Sequence, residues 1–255
     1  MHLKETTEQN IKDQLFDALR FAIIACEIPP GTEFSERYIA ERYDVGKASV
    51  RDALSRLGQE GWVASVPRSG HVVTPMSREE VLDIFSMRAI IEPESAARAA
   101  GRIGEGELRN LNGACARSYM IDDPAQKRRF LMANRDFHVA VARASGSLRL
   151  ARSVERLHDE SLRVLYLSVS TWDSSEDWAR GHEPMIDALA RGDANAAYEM
   201  TLSGIHRSRD RVLEAFDKSP GLQVNRQVLR AYRRATVTQA PAEPSEQSKT
   251  KVRAE

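Results

Sequence analysis

Residues 28–73 read IPPGTEFSERYIAERYDVGKASVRDALSRLGQEGWVASVPRSGHVV, and this stretch decides the fold. Ile28-Pro29-Pro30-Gly31 opens it by stopping a helix, since proline has no backbone N–H to give and glycine turns freely. The helix it stops lies upstream over residues 8–26. Ile11, Leu15, Leu19, Ala22, Ile23 and Cys26 recur there at spacings of three and four, which places them on one face. Downstream, Ser35 predicts an N-cap for a short helix from Glu36 to Tyr43, with Ile39, Ala40 and Tyr43 turned inward. Asp44-Val45-Gly46 predicts a turn. A third helix follows from Lys47 to Gln59, with Val50, Leu54 and Leu57 inward and Gly58 and Gly61 at its end. Trp62–Val66 and His71–Val73 flank Pro67-Arg68-Ser69-Gly70, which is the pattern of a hairpin. Helix, helix, turn, helix, hairpin is the order of a winged helix-turn-helix, placed over residues 1–75.

The third helix carries Lys47, Ser49 and Arg51 in its first turns, where a recognition helix meets base edges. Arginine can make two parallel hydrogen bonds to guanine, and lysine offers a point charge to base or phosphate. Arg37 and Arg68, on the second helix and at the hairpin tip, are placed to hold phosphates and fix the register. Any one of these residues alone reads as ordinary solvated surface. Their coincidence with a short turn and a basic hairpin tip points to double-stranded DNA. Bulk charge does not help. The chain has 37 Lys and Arg against 37 Asp and Glu, and residues 1–76 hold 9 basic against 11 acidic residues. Binding must therefore rest on a few placed cations rather than a domain-wide field.

From residue 77 the chain reads as helix after helix. Ser77 followed by Glu80 predicts a capping box, and that helix continues to about Arg102, with Val81, Ile84, Ala89, Ile91 and Ala96 among its apolar residues. Further helices are expected over 104–120, 124–145, 147–171, 175–191 and 194–217, with Asp123-Pro124 starting one of them. The protein is thus mainly α: a winged helix-turn-helix, then an all-α bundle of about six helices over 77–217. Residues 218–255 form an extension. Arg226, Arg230, Arg233 and Arg234 read there as a solvated helix, ahead of a basic helix near DNA or a partner. The chain is expected to be disordered from about 237. Cys26 and Cys115 lack metal or redox spacing and read as buried reduced thiols. No run of 18 apolar residues and no signal-peptide core occur, so a cytoplasmic location away from membranes is expected.

These residues resemble the GntR family of bacterial regulators. The resemblance is carried by Pro30-Gly31, Ser35-Glu36-Arg37, Ala40-Glu41, Val45, Val50-Arg51-Asp52-Ala53-Leu54, Leu57, Gly61 and Pro67-Arg68-Ser69-Gly70. It implies DNA contacts by Arg37, Lys47, Arg51 and the wing around Gly70, Ser69 included. Gly46 departs from the Ser or Thr usual there and removes a helix cap. Lys47 departs from the usual Arg and softens base discrimination. The bundle resembles the FCD branch of the same family. Arg88 and Glu92 fit its first-helix R…E, Asn134-Arg135-Asp136-Phe137-His138 its D-x-x-F-H, and His182, Ile186, Ala188, Gly192 and Asp193 its H…I…A…GD. The resemblance implies a homodimer on a near-palindromic operator, usually repressing, with a small organic-acid effector in the bundle.

Many FCD domains hold a divalent metal with one Asp and three His. Two ligands sit at i and i+4 on one helix, and the other two come from separate helices. The matching positions here are Asn134, His138, His182 and Gly204. His206, the nearest histidine to the last, points about 200° away around its helix. Asn134 and Gly204 thus replace expected ligands and leave His138 and His182, with His206 as the substitute should the helix be irregular. A metal-free cavity is the favoured reading, with Arg88, Asn134, His138 and His182 as effector-binding residues. Arg88 would pair the carboxylate, and the histidines would donate hydrogen bonds. Arg88 and Glu92 also fit a plain i,i+4 ion pair. Glu155 and His158 make one E-x-x-H, but a di-iron bundle needs two, so it reads as incidental. No nucleophile–base–orienter set is present, so no enzyme is expected and no cofactor is assigned. The alternatives are a metal-responsive regulator or bundle metalloprotein, and a DNA-binding dimer without effector.

Overall fold

The computed structural model describes residues 8–66, 70–116, 123–171 and 175–219. The chain divides into two compact units. One takes the chain up to Leu19 and Pro30–Pro75, and the other takes Arg20–Pro29 and continues from Met76.

The first unit begins with α1 (Glu8–Ile24), whose Leu15, Phe16 and Leu19 are buried. A short strand β1 (Glu33–Phe34) leads to α2 (Glu36–Tyr43) and α3 (Lys47–Gln59). The Ser35 side chain caps α2 by accepting from the Tyr38 N–H at 3.1 Å. Ile39 is the buried residue of α2, whereas Tyr43 is half-buried. The inner face of α3 is Val50, Ala53, Leu54 and Leu57. β2 (Val63–Val66) and β3 (Gly70–Val73) complete an antiparallel sheet of order β1-β3-β2, with Phe34 opposite His71 and Val63 opposite Val73. The wing is therefore three-stranded. Two residues are too few to show alternation, which is why β1 is invisible in the sequence. Gly70 has φ 101°, and a Cβ there would lie 2.6 Å from the Phe34 carbonyl oxygen. Pro67, Arg68 and Ser69, at the expected hairpin tip, lie outside the described residues.

The second unit is all helical: α4 (Arg78–Ala99), α5 (Glu105–Cys115), α6 (Pro124–Ala144), α7 (Leu148–Thr171), α8 (Ser175–Ala190) and α9 (Ala194–Asp217). Ser77 and Glu80 make the full capping box of α4, while Asp123 and Asp193 cap α6 and α9. α4 packs against α6, α7 and α9, and α5 bridges α6 and α8. The inward stripe of α4 is Val81, Phe85, Arg88, Glu92, Ser95 and Ala99 at alternating steps of four and three. Two charged residues thus occupy core positions. Cys115 is buried as expected. Cys26 is not helical: it follows the end of α1 with φ 56° and is only half-buried. Burial pushes the two thiols up, Cys26 to about 11 and Cys115 to about 12. Among the described residues no helix is long and apolar enough to cross a membrane. The extension expected to be disordered, with its four arginines, lies outside the described residues.

Candidate DNA interface and ligand cavity

The first turns of α2 and α3 bring the sequence-predicted cations to the surface. Arg37 is 81% exposed, and its Nε donates to Glu41 Oε1 at 2.7 Å. Arg51 is 69% exposed, and its Nε donates to Glu36 Oε2 at 2.9 Å, tying α3 to the start of α2. Lys47 is exposed at the head of α3, behind a Gly46 cap that makes no side-chain bond. Ser49 is a correction. It is buried, not on the outer face, because it lies one turn before Ala53 at the edge of the inward stripe. Each of these two arginines is thus held by a carboxylate in the free protein.

The bundle holds a partly open cavity of about 70 Å³ walled by α4, α6, α7, α8 and α9. Arg88, Asn134, His138 and His182 all line it. His182 is buried, stacked on Phe137 at 4.4 Å, and its Nδ1 meets Asn112 Oδ1 at 2.9 Å. The Asn112 amide nitrogen is committed to Ala179 O and Glu183 Oε1, so its oxygen faces the ring. Nδ1 therefore carries the His182 proton, and Nε2 keeps a lone pair. Burial, with His158 and Arg207 nearby, lowers His182 to about 4. Asn134 Oδ1 is buried without a hydrogen bond.

The four positions implied for a family metal do not make a metal centre here. Asn134 offers a neutral amide, Gly204 stands on the cavity wall with no donor, and His206 is exposed on the far side of a regular α9. The irregularity that would rotate His206 inward is absent from the described α9.

Sequence reasoning left Arg88 two readings, a partner for an effector carboxylate or an i,i+4 ion pair with Glu92, and the structure has the ion pair. Arg88 and Glu92 are each 3% exposed, and Arg88 Nε donates to Glu92 Oε1 at 2.6 Å. Its other nitrogens reach Ser161 Oγ at 3.4 Å and His158 Nε2 at 3.3 Å. The guanidinium is neutralised inside the protein. His158, set aside in sequence as half of an incidental E-x-x-H, is fully buried beside Glu92, with Nε2 3.2 Å from Oε2. Glu155 turns away to Arg135. A signal was present: His158 falls in the stripe Ala151, Val154, His158, Ser161, Leu165, where apolar residues belong. Asn112, which fixes the His182 tautomer, carried the same signal, a polar residue in the stripe Leu108, Asn112, Cys115, and was not singled out. His138 stacks on His158 at 4.7 Å, with Nδ1 3.7 Å from Glu92 Oε2. Burial would raise the Glu92 carboxyl, but Arg88, His158 and His138 together hold it well below the usual carboxylate range. Burial lowers His138 and His158 as well, so both are neutral near pH 7.

A winged helix unit joined to an all-helical unit with a ligand-sized cavity is the build of a DNA-binding transcription regulator. Residues 11–73 match the family model "Bacterial regulatory proteins, gntR family", and residues 83–207 match the FCD domain. The chain belongs to the GntR family, in its FCD branch, a family of transcription regulators and not of enzymes. It is similar to the HTH-type transcriptional repressor RspR of Escherichia coli K12, 27% identical over 188 residues that span 74% of this chain and 82% of that one. The HTH-type transcriptional repressor GlaR of the same organism is 29% identical over 196 residues, 71% of this chain and 86% of that protein. The solved structure of E. coli McbR/YncC shares the fold with a TM-score of 0.65 at 17% identity, covering 81% of this chain and 98% of that chain.

Proposed function

We propose that this regulator is a dimeric repressor whose operator affinity is set by a small organic acid bound in the bundle cavity. The cavity carries the reading: it is partly open, polar at its floor and bounded by cations. Its volume holds roughly five water-sized groups, which suits an acid of about five or six heavy atoms. Because Glu92 cancels Arg88, the carboxylate is assigned to Arg207 and Arg211, which also line the cavity. Arg207 donates to the neutral Ser203 hydroxyl and Arg211 lies over the Trp178 ring, and among the described residues no carboxylate cancels either charge. Met185 and Ile205 offer the apolar wall, and His182 and Asn134 the polar floor. Repression is supported by the names of RspR and GlaR.

In the DNA-binding unit Arg37, Lys47 and Arg51 are the proposed contacts, with Arg68, Ser69 and Gly70 at the wing. Two such units on a symmetric dimer read a near-palindrome. Gel shifts with genomic fragments test this: a specific site at moderate salt is expected, and Arg51→Ala should cost about 1–3 kcal/mol of specific binding. No specific site in any fragment would sink the reading. Thermal shift against small acids tests the other half, because a regulator without an effector is stabilised by none of them.

A further inference from the structure

Four buried groups around Glu92 do not satisfy one another. Arg88 Nη2 can only donate, so at 3.3 Å it needs a lone pair on His158 Nε2. That same lone pair then faces Glu92 Oε2 at 3.2 Å, acceptor against acceptor. The other tautomer satisfies Glu92 and sets an N–H against Arg88. Glu92 Oε2 has no well-formed hydrogen bond, and neither does Asn134 Oδ1 nearby on the cavity wall. Glu92 Oε2 and Asn134 Oδ1 are thus buried acceptors without donors and His158 Nδ1 has no partner either, so a cation beside Oε2 would supply what the side chains do not.

We propose that Glu92, His138 and His158 form a site for zinc or a zinc-like divalent transition metal, displaced from the four positions that the family resemblance implies. The donor set is a carboxylate and two imidazoles, a combination that suits such ions. Glu92 Oε2, His138 Nδ1 and His158 Nε2 all lie within 4.8 Å of one another. The separations from Oε2, 3.2 and 3.7 Å, bracket the edge of about 3.4 Å expected for a tetrahedron with bonds near 2.1 Å. Small side-chain shifts close the site, chiefly a turn of the His138 ring out of its stack on His158. Arg88 is the competitor. It keeps Glu92 Oε1 through Nε and gives up only its contact with His158 when the ion enters. His182 is not part of the set: the three ligand atoms that converge are those of Glu92, His138 and His158. A fourth ligand enters from the cavity, and a small anion there offsets the ion's charge.

The test uses the full chain, freed of metal by a chelator and titrated with zinc by calorimetry and with cobalt by absorption. One ion per chain with the bands of four-coordinate cobalt is expected. His158→Gln should weaken binding by more than about a hundredfold, beyond the loss of an outer-shell partner, while His182→Gln leaves it within a few-fold. Arg88→Met should bind zinc more tightly, and zinc should raise its Tm more than that of the parent. Circular dichroism checks that each variant is folded, and His158→Gln decides the matter if Arg88→Met is not. Failure to bind an ion stoichiometrically overturns the proposal. So does loss of the ion in His182→Gln with retention in His158→Gln, which would return it to the family positions. Neither result bears on the organic-acid reading, whose readout is thermal shift with acids.

Discussion

Glu92 is the residue on which most of the bundle chemistry converges. Its charge is buried and paired with Arg88, so its worth appears when one partner is removed. Glu92→Gln should destabilise the fold by about 3–5 kcal/mol in chemical denaturation, whereas Arg88→Met with Glu92→Leu should be close to neutral. Equal losses in the single and double variants would show that the pair does not act as a unit. The histidines add a pH dependence of definite sign. His182 is lowered to about 4 by burial, below the roughly 6.5 of an unfolded histidine, so the unfolded chain binds more protons between those values. Its contribution is complete above about pH 6.5 and is lost as pH falls toward 4. Glu92, also depressed, adds a loss that begins as pH falls into the ordinary carboxylate range and continues as pH falls toward its folded value. Urea midpoints across this range should fall with pH, and His182→Gln should flatten the slope. An unchanged slope would remove His182 from the account.

At the level of elements, α2, α3 and the sheet depend on a few local devices. Gly70 lets β3 pass against β1 at a positive φ, so Gly70→Ala adds strain of about 1–3 kcal/mol and pushes on the Phe34 carbonyl. The expected result is a lower Tm with the loss confined to the DNA-binding unit, as hydrogen exchange can report. The Glu36–Arg51 bond spans α2 and α3 and holds the Arg51 guanidinium in the free protein. Glu36→Gln should therefore raise non-specific DNA affinity while narrowing the gap to the specific site, read from paired gel shifts at one salt concentration. A specific-to-non-specific ratio equal to that of the parent would mean that Glu36 does not position Arg51.

For the whole molecule the question is how the two units communicate. An effector that alters operator affinity by some factor must have its own affinity altered by the same factor when operator is present. Titrating a stabilising acid with and without operator DNA should return equal coupling from both directions. An acid that binds tightly yet shifts nothing would be indifferent to the dimer's two states.

The sequence alone determined the order of elements and the chemistry at the surface. Helical spacing, Ser35, Ser77 and Asp123 as caps, and Pro and Gly at breaks act within a turn or two, so α2, α3 and α4 to α9 were legible. The absent family ligands at Asn134 and Gly204 were legible too, since a helix in register fixes which side chain faces inward. Tertiary structure alone decided which residues meet. Glu92 and His158 are 66 positions apart, and only the packing of α4 on α7 brings a carboxylate to an imidazole at 3.2 Å. Packing within each unit likewise decided that the Arg88–Glu92 pair is buried rather than solvated, that Ser49 is covered, and that a two-residue strand joins the wing. Local signals report what a residue can do, and long-range contacts decide whether its charge and its lone pairs are still free to do it.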